Sequence, residues 1–118
     1  MSEWQDGETE AARYLEKKGY TVVSTNYRGR RGEIDIVASE GDTIVFAEVK
    51  TWRGIPIVEL EFSVDSHKRR TIVRESRRFL MEHPEFDEMY VRYDLVFIDP
   101  DKRTVEHITD AFTETGAA

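Results

Sequence analysis

The chain has 118 residues, of which 39% are hydrophobic, 11% aromatic and 35% charged. This length and composition predict one soluble globular domain rather than a disordered segment. No apolar run approaches the roughly 20 residues that cross a bilayer, and the acidic, polar first residues lack the pattern of a secretory signal. Because there is no cysteine, disulfides, thiolate nucleophiles and cysteine-based zinc sites are excluded. We therefore expect a cytoplasmic protein.

The net charge of −7 is unfavourable for a nucleic-acid-binding protein, but the charge is unevenly distributed. Residues 1–78 carry 14 basic and 14 acidic side chains, whereas residues 79–118 carry 3 and 10. The range 66–78 alone contains six Lys and Arg residues and one Glu. A local basic patch can therefore still bind phosphates, although long-range attraction of DNA is expected to be weak.

Helical and strand patterns alternate along the chain and predict seven elements. In chain order they are a helix from Ser2 or Asp6 to about Lys18, strands over 20–28, 33–39 and 43–52, a helix over 66–82 capped by Ser66, and strands over 90–98 and 104–108. Residues 54–65 fit neither pattern, because Gly54 and Pro56 interrupt a partial alternation of apolar residues. The order α-β-β-β-α-β-β predicts an α/β fold, a mixed sheet flanked by helices. One domain is expected over residues 1–112, with a disordered tail over 113–118.

The hairpin of the second and third strands carries the strongest functional signal. With Gly41-Asp42 as a two-residue turn, paired residue numbers sum to 83, which predicts Asp35 opposite Glu48 and Glu33 opposite Lys50. Both faces are apolar near the turn, as in central strands, but one face becomes a cluster of charges away from it. The other face is predicted to hold the apolar residues Ile34, Ile36, Ala38, Val45, Ala47 and Val49.

The two facing carboxylates predict a cation site. Cross-strand partners lie about 5 Å apart, and at an effective dielectric constant of 20 two like charges at that distance cost about 3 kcal/mol. A divalent cation removes this penalty, and carboxylate oxygens suit magnesium or manganese. The alternative is a half-exposed sheet edge at which Asp35 and Glu48 are solvated and paired by Lys50. Glu8, on the buried stripe of the first helix, is a candidate ligand, although the helix macrodipole also favours an acidic residue there.

These residues resemble the PD-(D/E)xK signature of restriction-endonuclease-like nucleases, with Asp35 followed by Glu48-Val49-Lys50. A longer series of motifs resembles the YraN-like family of small bacterial proteins, from Gly7 to Phe112. The motifs are Gly7-Glu8-x-x-Ala11-Ala12, Asn26-Tyr27-Arg28, Gly32-Glu33-Ile34-Asp35, Val45-Phe46-Ala47-Glu48-Val49-Lys50, Arg92-Tyr93-Asp94 and Ala111-Phe112. That family is similar to archaeal Holliday-junction resolvases. The resemblance therefore implies a restriction-endonuclease-like fold.

The same resemblance implies a magnesium- or manganese-dependent endonuclease that hydrolyses nucleic-acid phosphodiester bonds, with branched DNA as a candidate substrate. The implied metal ligands are Asp35, Glu48, Glu8 and the Val49 carbonyl, and Lys50 is the implied catalytic lysine. Candidate contacts to the nucleic-acid backbone are Arg28, Arg30, Arg31, Arg53, Lys68, Arg69 and Arg70. The family usually has an arginine where this chain has Trp52, so one phosphate contact is lost or moves to Arg53. The likeness to resolvases also suggests a homodimer, because two symmetric cuts need two sites.

Two alternatives remain open at this point. A non-catalytic nucleic-acid-binding or adaptor module that retains the nuclease fold is favoured by the acidic last third of the chain, and disfavoured by the intact set of Asp35, Glu48 and Lys50. A structural domain of a larger assembly would bind neither metal nor nucleic acid.

Overall fold

Two helices and six strands make up the computed structural model, which describes residues 4–52, 64–113 and, for the backbone, 116–117. The elements are α1 (Gly7–Lys17), β1 (Thr21–Arg28), β2 (Glu33–Glu40), β3 (Thr43–Thr51), α2 (Ser66–Glu82), a short 3-10 helix (Pro84–Phe86), β4 (Tyr90–Asp99), β5 (Thr104–Thr113) and β6 (Gly116–Ala117). This confirms the predicted order and adds the two-residue β6. No helix in the described ranges is long and apolar enough to cross a membrane.

The strands form one mixed sheet in the order β1-β2-β3-β4-β5-β6. All neighbours pair antiparallel except β3 and β4, which are parallel, so the crossover between these two strands contains α2. The Asp6 carboxylate caps α1. The cap of α2 is Asp65, whose carboxylate accepts from the Lys68 N–H, rather than the predicted Ser66; both residue types favour this position.

The last long strand, β5, extends five residues beyond the predicted end at Ile108. The pairing of β4 with β5 shifts register between Tyr93 and Leu95, and Asp110 has a φ of 52°. A local irregularity of this kind interrupts the alternation of apolar and polar residues. The strand therefore continues through a polar stretch in which the alternation of apolar and polar residues, on which the prediction depends, has already ended.

A hydrophobic cluster covers each face of the sheet. On one face α1 contributes Ala11 and Leu15, which pack against Ile36, Ala38, Val45, Ala47, Val96 and Ile98. On the other face α2 contributes Ile72, Val73 and Phe79, which pack against Val37, Ile44, Phe46, Leu95 and Phe97. The predicted assignment of hairpin residues to faces is confirmed near the turn, where both faces are buried.

Ile34 is an exception to the predicted faces. It was expected beside Ile36, but it lies in the cluster on the α2 face. Asn26 of β1, at the level of Asp35, has a φ of 54°, in the left-handed region that departs from regular strand geometry. The regular alternation of side chains between the two faces of the sheet therefore fails between Ile36 and Ile34. Asp35 lies at the position where the alternation changes.

A buried ionic network joins β4, β5 and Tyr20, which lies between α1 and β1. Asp94, which is fully buried, accepts hydrogen bonds from Arg92 Nε and Nη2, both at 2.9 Å, from His107 Nε2 at 2.7 Å and from the Asp110 N–H at 3.0 Å. Arg92 also donates to the Tyr20 hydroxyl at 2.7 Å. Desolvation raises the pKa of the Asp94 carboxyl, but the hydrogen bonds from His107 and Arg92 outweigh it and hold the pKa below its usual value. The Asp94 carboxylate is thus satisfied by hydrogen bonds and by opposite charge.

We expect Asp94→Asn to lower the free energy of unfolding by about 3 kcal/mol at neutral pH, because Arg92 loses its buried counter-charge. A lowered pKa in the folded state stabilises the fold above the unfolded pKa and ceases to do so as the pH falls through the folded pKa. The difference from wild type should therefore shrink below about pH 4. Urea denaturation across the acid range measures it, with the exposed Asp87→Asn as control. Equal stabilities at neutral pH would contradict the prediction.

Candidate metal centre between two central strands

The backbone pairing of β2 with β3 stops where the acidic residues begin. The register confirms the predicted sum of 83 from the turn as far as Ile36 and Ala47. Continued regularly, it would pair Val49 with Ile34. Instead, the Val49 N–H donates to Asp35 Oδ2 at 2.8 Å. A side-chain carboxylate therefore takes the place of a main-chain acceptor, and the predicted backbone pairing does not extend to Asp35.

The carboxyl groups of Asp35 and Glu48 nevertheless come together. Their exposed fractions are 7% and 5%, so neither is well solvated. Desolvation by burial, together with the hydrogen bond and the charge of Asp35, raises the pKa of Glu48 to about 8. Near neutral pH Glu48 therefore keeps its proton, so the pair does not carry two full negative charges.

A cation already contacts this pair. Lys68, in the first turn of α2, places Nζ 3.3 Å from Glu48 Oε2, and its charge acts to lower the pKa of Glu48. The sequence predicts a phosphate contact for Lys68 and gives no indication of this ion pair. Because the carboxylate is buried and the ammonium is half-buried, the contact is less screened than one at the surface.

Glu8 approaches Asp35 from the α1 face of the sheet. Desolvation and the charge of Asp35 raise the pKa of the half-buried Glu8, while a hydrogen bond from the Asn26 side chain lowers it. Glu48 pairs with α2 on the opposite face, so Asp35 lies between the two glutamates. Among the described residues there is no group of three or more acidic, His or Cys side chains that could hold an ion. The structure thus presents an acidic pair with a third carboxylate nearby.

A cleft of about 700 Å³ opens on the α1 face beside Glu8. Its lining residues are Asp6, Gly7, Glu8, Thr9, Ala12, Thr25, Asn26, Val49 and Thr51. The strand residues that line the cleft belong to β1 and β3, the two neighbours of β2, so the cleft lies at the level of Asp35. Glu48 and Lys68 lie on the other face of the sheet.

The residues that follow Glu48 on β3 and just after it have three different environments. Lys50 is half-buried, and its charge contributes to lowering the pKa of Asp65, for which the hydrogen bond from the Lys68 N–H is the largest cause. Trp52, at the position of the family arginine, packs against the core of the α2 face. The N–H and C=O of one strand residue point to the same neighbouring strand, so the Val49 carbonyl faces β2 and Asp35.

The candidate phosphate contacts are distributed over the β1–β2 turn and α2. Arg28 pairs with Glu33 at 3.6 Å, and Arg30, Arg31 and Arg70 are exposed. Arg69 instead donates from Nε to the Val64 carbonyl at 2.8 Å and lies over the Phe112 ring. Arg53 lies outside the described residues.

Glu75 is a buried acidic residue near the site that is not among the residues expected from the sequence. This residue of α2 is 2% exposed, and its Oε1 accepts from the Arg31 N–H at 3.2 Å. Its spacing of four residues from the buried Thr71 and Phe79 was the available signal, because these positions share one side of a helix.

We expect the free energy of unfolding of wild type to fall as the pH rises, and we expect this fall to be absent in Glu48→Gln. A carboxyl whose pKa is raised from 4.5 to about 8 in the fold stabilises the folded state below the unfolded pKa, and this contribution is lost as the pH rises through the folded pKa. In buffer free of divalent ions, the variant should gain roughly 3 kcal/mol over wild type between about pH 5 and pH 8.5. Urea denaturation measures this, with the exposed Glu16→Gln as control. Parallel pH profiles for Glu48→Gln and wild type would contradict the raised pKa of Glu48.

The fold and the site define a class of small α/β domain in which a buried acidic pair lies where two central strands part. A family model described as "Uncharacterised protein family UPF0102" matches residues 7–98. The chain belongs to UPF0102, the YraN-like family, which confirms the expected membership.

Relatives with the same family name match over most of their length. A "UPF0102 protein" of Treponema pallidum (strain Nichols) is 37% identical over 113 residues, covering 92% of this chain and 90% of its own. One of Syntrophus aciditrophicus (strain SB) is 41% identical over 108 residues, covering 90% and 84%. The crystal structure of SSO0001 aligns with 17% identity and a TM-score of 0.34, covering 91% of this chain and 52% of that one. This chain therefore spans about half of the SSO0001 chain, and so weak a likeness supports no inference.

Proposed function

We propose that this protein is a magnesium- or manganese-dependent endonuclease that hydrolyses phosphodiester bonds of nucleic acid, with DNA favoured, in the cytoplasm. The observation that carries the proposal is the buried pair of Asp35 and Glu48. The pair lies where the pairing of β2 with β3 ends, in contact with Lys68. Two carboxyl groups buried side by side are unfavourable for stability, and groups with perturbed pKa values concentrate at functional sites.

The donor set fits magnesium. This ion usually keeps several water ligands and takes one or two carboxylates together with substrate phosphate oxygens. Two protein carboxylates and the Val49 carbonyl therefore suffice, without a third acidic ligand.

The bound ion would supply Lewis-acid polarisation of a phosphate oxygen and a water of lowered pKa. Asp35 and Glu48 would orient that water, and Lys50, following Glu48 on the same strand, would stabilise the negative charge that develops on the phosphate oxygens. Glu8 would act from the α1 face, directly or through a water molecule. The N-terminal amides of α2 would provide an additional anion contact. For a branched substrate with two symmetric cuts, the proposal includes a homodimer.

A non-catalytic nucleic-acid-binding module is the second candidate. The ion pair between Lys68 and Glu48 favours it, because a site permanently neutralised by lysine would not need a metal. The two candidates differ in whether divalent ions bind, so a titration separates them.

We expect magnesium or manganese to raise the melting temperature of wild type but not of Asp35→Asn. At an ion concentration of 100 times Kd, the stabilisation is about 2.7 kcal/mol. A thermal-shift titration measures this, with Asp42→Asn in the β2–β3 turn as a control that removes an exposed carboxylate. Equal shifts in Asp35→Asn and wild type would exclude Asp35 as a ligand, and no shift in wild type would favour the binding module.

We expect Lys50→Ala to lower the cleavage rate by about 100-fold or more while leaving metal binding intact. The reason is that the negative charge developing on the phosphate oxygens in the transition state would no longer be stabilised by the lysine. Cleavage of labelled linear, branched and single-stranded DNA in magnesium measures the rate, with the exposed Lys17→Ala as control. If Lys50→Ala cleaves as fast as wild type, the assigned role is wrong.

A further inference from the structure

The turn between β1 and β2 is attached to α2 by a buried carboxylate. Glu75 Oε1 accepts the Arg31 N–H at 3.2 Å, and the Gly29 N–H donates to the Gly32 carbonyl at 2.9 Å to close the turn. The contact uses the main chain of Arg31. Its guanidinium is therefore not consumed by the attachment.

The two glycines of the turn allow this close approach. A Cβ at Gly29 would lie 1.5 Å from Glu75 Oε2, and one at Gly32 would lie 2.4 Å from Thr71 Cγ2. Glu75 Oε2 is buried and has no hydrogen-bond partner among the described residues, because it lies against the backbone of Gly29. A buried carboxylate oxygen without a donor is costly, so the arrangement is unfavourable as a purely structural feature.

Positive charge surrounds this attachment. Arg30 and Arg31 are exposed in the turn, and Arg74 Nε lies 3.8 Å from Glu75 Oε1. Arg70, one helical turn before Arg74, is also exposed. Exposed arginines therefore lie both in the turn and on the helix to which Glu75 attaches it.

We propose that Arg30 and Arg31 form a phosphate-binding subsite for the backbone of a nucleic-acid strand, and that Glu75 is its positioning residue. The proposal rests on the proposed function for its ligand class. Arg28 is less suited to this role because it pairs with Glu33. Arg30 and Arg31 offer planar groups that match phosphate oxygens in pairs.

The chain sets the distance from this subsite to the acidic pair. Asp35 follows Arg31 by four positions, so their Cα atoms are no more than about 14 Å apart. The subsite is therefore close to the acidic pair along the chain and would hold the flank of the cleavage position.

The test compares Glu75→Ala, the double variant Arg30→Ala/Arg31→Ala and the triple variant in binding labelled duplex DNA without divalent ions. We expect the double variant to bind about tenfold more weakly, with a log–log salt slope shallower by about 2. Glu75→Ala should also weaken binding severalfold, although loss of a negative charge alone would strengthen it. The triple variant should bind no more weakly than the double variant, because Glu75 acts through the arginines. Glu16→Ala, which removes an exposed carboxylate from α1, is the matched control.

Amide hydrogen exchange tests the attachment in the wild-type protein itself. The Arg31 amide should exchange slowly in wild type and rapidly in Glu75→Ala. An unprotected Arg31 amide in wild type overturns the proposal even if Glu75→Ala fails to fold. Tighter DNA binding by folded Glu75→Ala, or additive losses in the triple variant, also overturns it.

The outcomes separate this subsite from the proposed hydrolysis. Wild-type protein that binds DNA through Arg30 and Arg31 but cleaves none would contradict the hydrolysis and support the subsite. Cleavage by wild type with unchanged DNA binding in the arginine variants would contradict the subsite alone. No affinity of wild type for DNA would overturn both.

Discussion

The hydrogen bond from the Val49 N–H to the Asp35 carboxylate is the contact on which the geometry of the site depends. A regular ladder between two central strands leaves no room for a side chain between them, because each main-chain group pairs with another. Here the carboxylate satisfies the N–H, so β2 and β3 can part without leaving a buried donor unpaired. Asp35 then lies between the two faces of the sheet, where its charge reaches Glu8 on one side and Glu48 on the other.

Two buried acidic groups of this sheet have opposite electrostatic environments. Asp94 is surrounded by Arg92, His107 and a backbone N–H, and its pKa is lowered despite full burial. Glu48 is also buried, but it hydrogen-bonds to another carboxyl group, and its pKa is raised despite the contact with Lys68. The fold therefore compensates the charge of Asp94 internally and compensates the pair of Asp35 and Glu48 only in part. Only the second arrangement has the character of a binding site, because it gains stability when positive charge arrives.

The sequence predicts local features of this structure well and its irregular features poorly. The order of elements, the turn at Gly41 and the register of the hairpin follow from patterns within a few residues. The displacement of Ile34 to the α2 face does not, because a two-residue period assumes regular strands and Asn26 adopts a positive φ. Nor could the partner of Glu75 be predicted, since its contact with the Arg31 N–H joins residues 44 positions apart. Charge clusters are visible in a sequence, whereas the donor that each carboxylate finds depends on the packing of distant elements.

The helix α2 connects the acidic pair with the arginine turn. Lys68 contacts Glu48, and Glu75, seven residues later, holds the turn through Arg31. Seven residues of a helix span about 10 Å, and a packed helix does not change this length. If a divalent ion binds as proposed, Lys68 would leave Glu48 while Glu75 keeps the turn in position. The distance between the proposed cation site and the proposed phosphate subsite would then be set by a rigid element rather than by a loop, which is the condition for holding a strand in register with the proposed hydrolytic site.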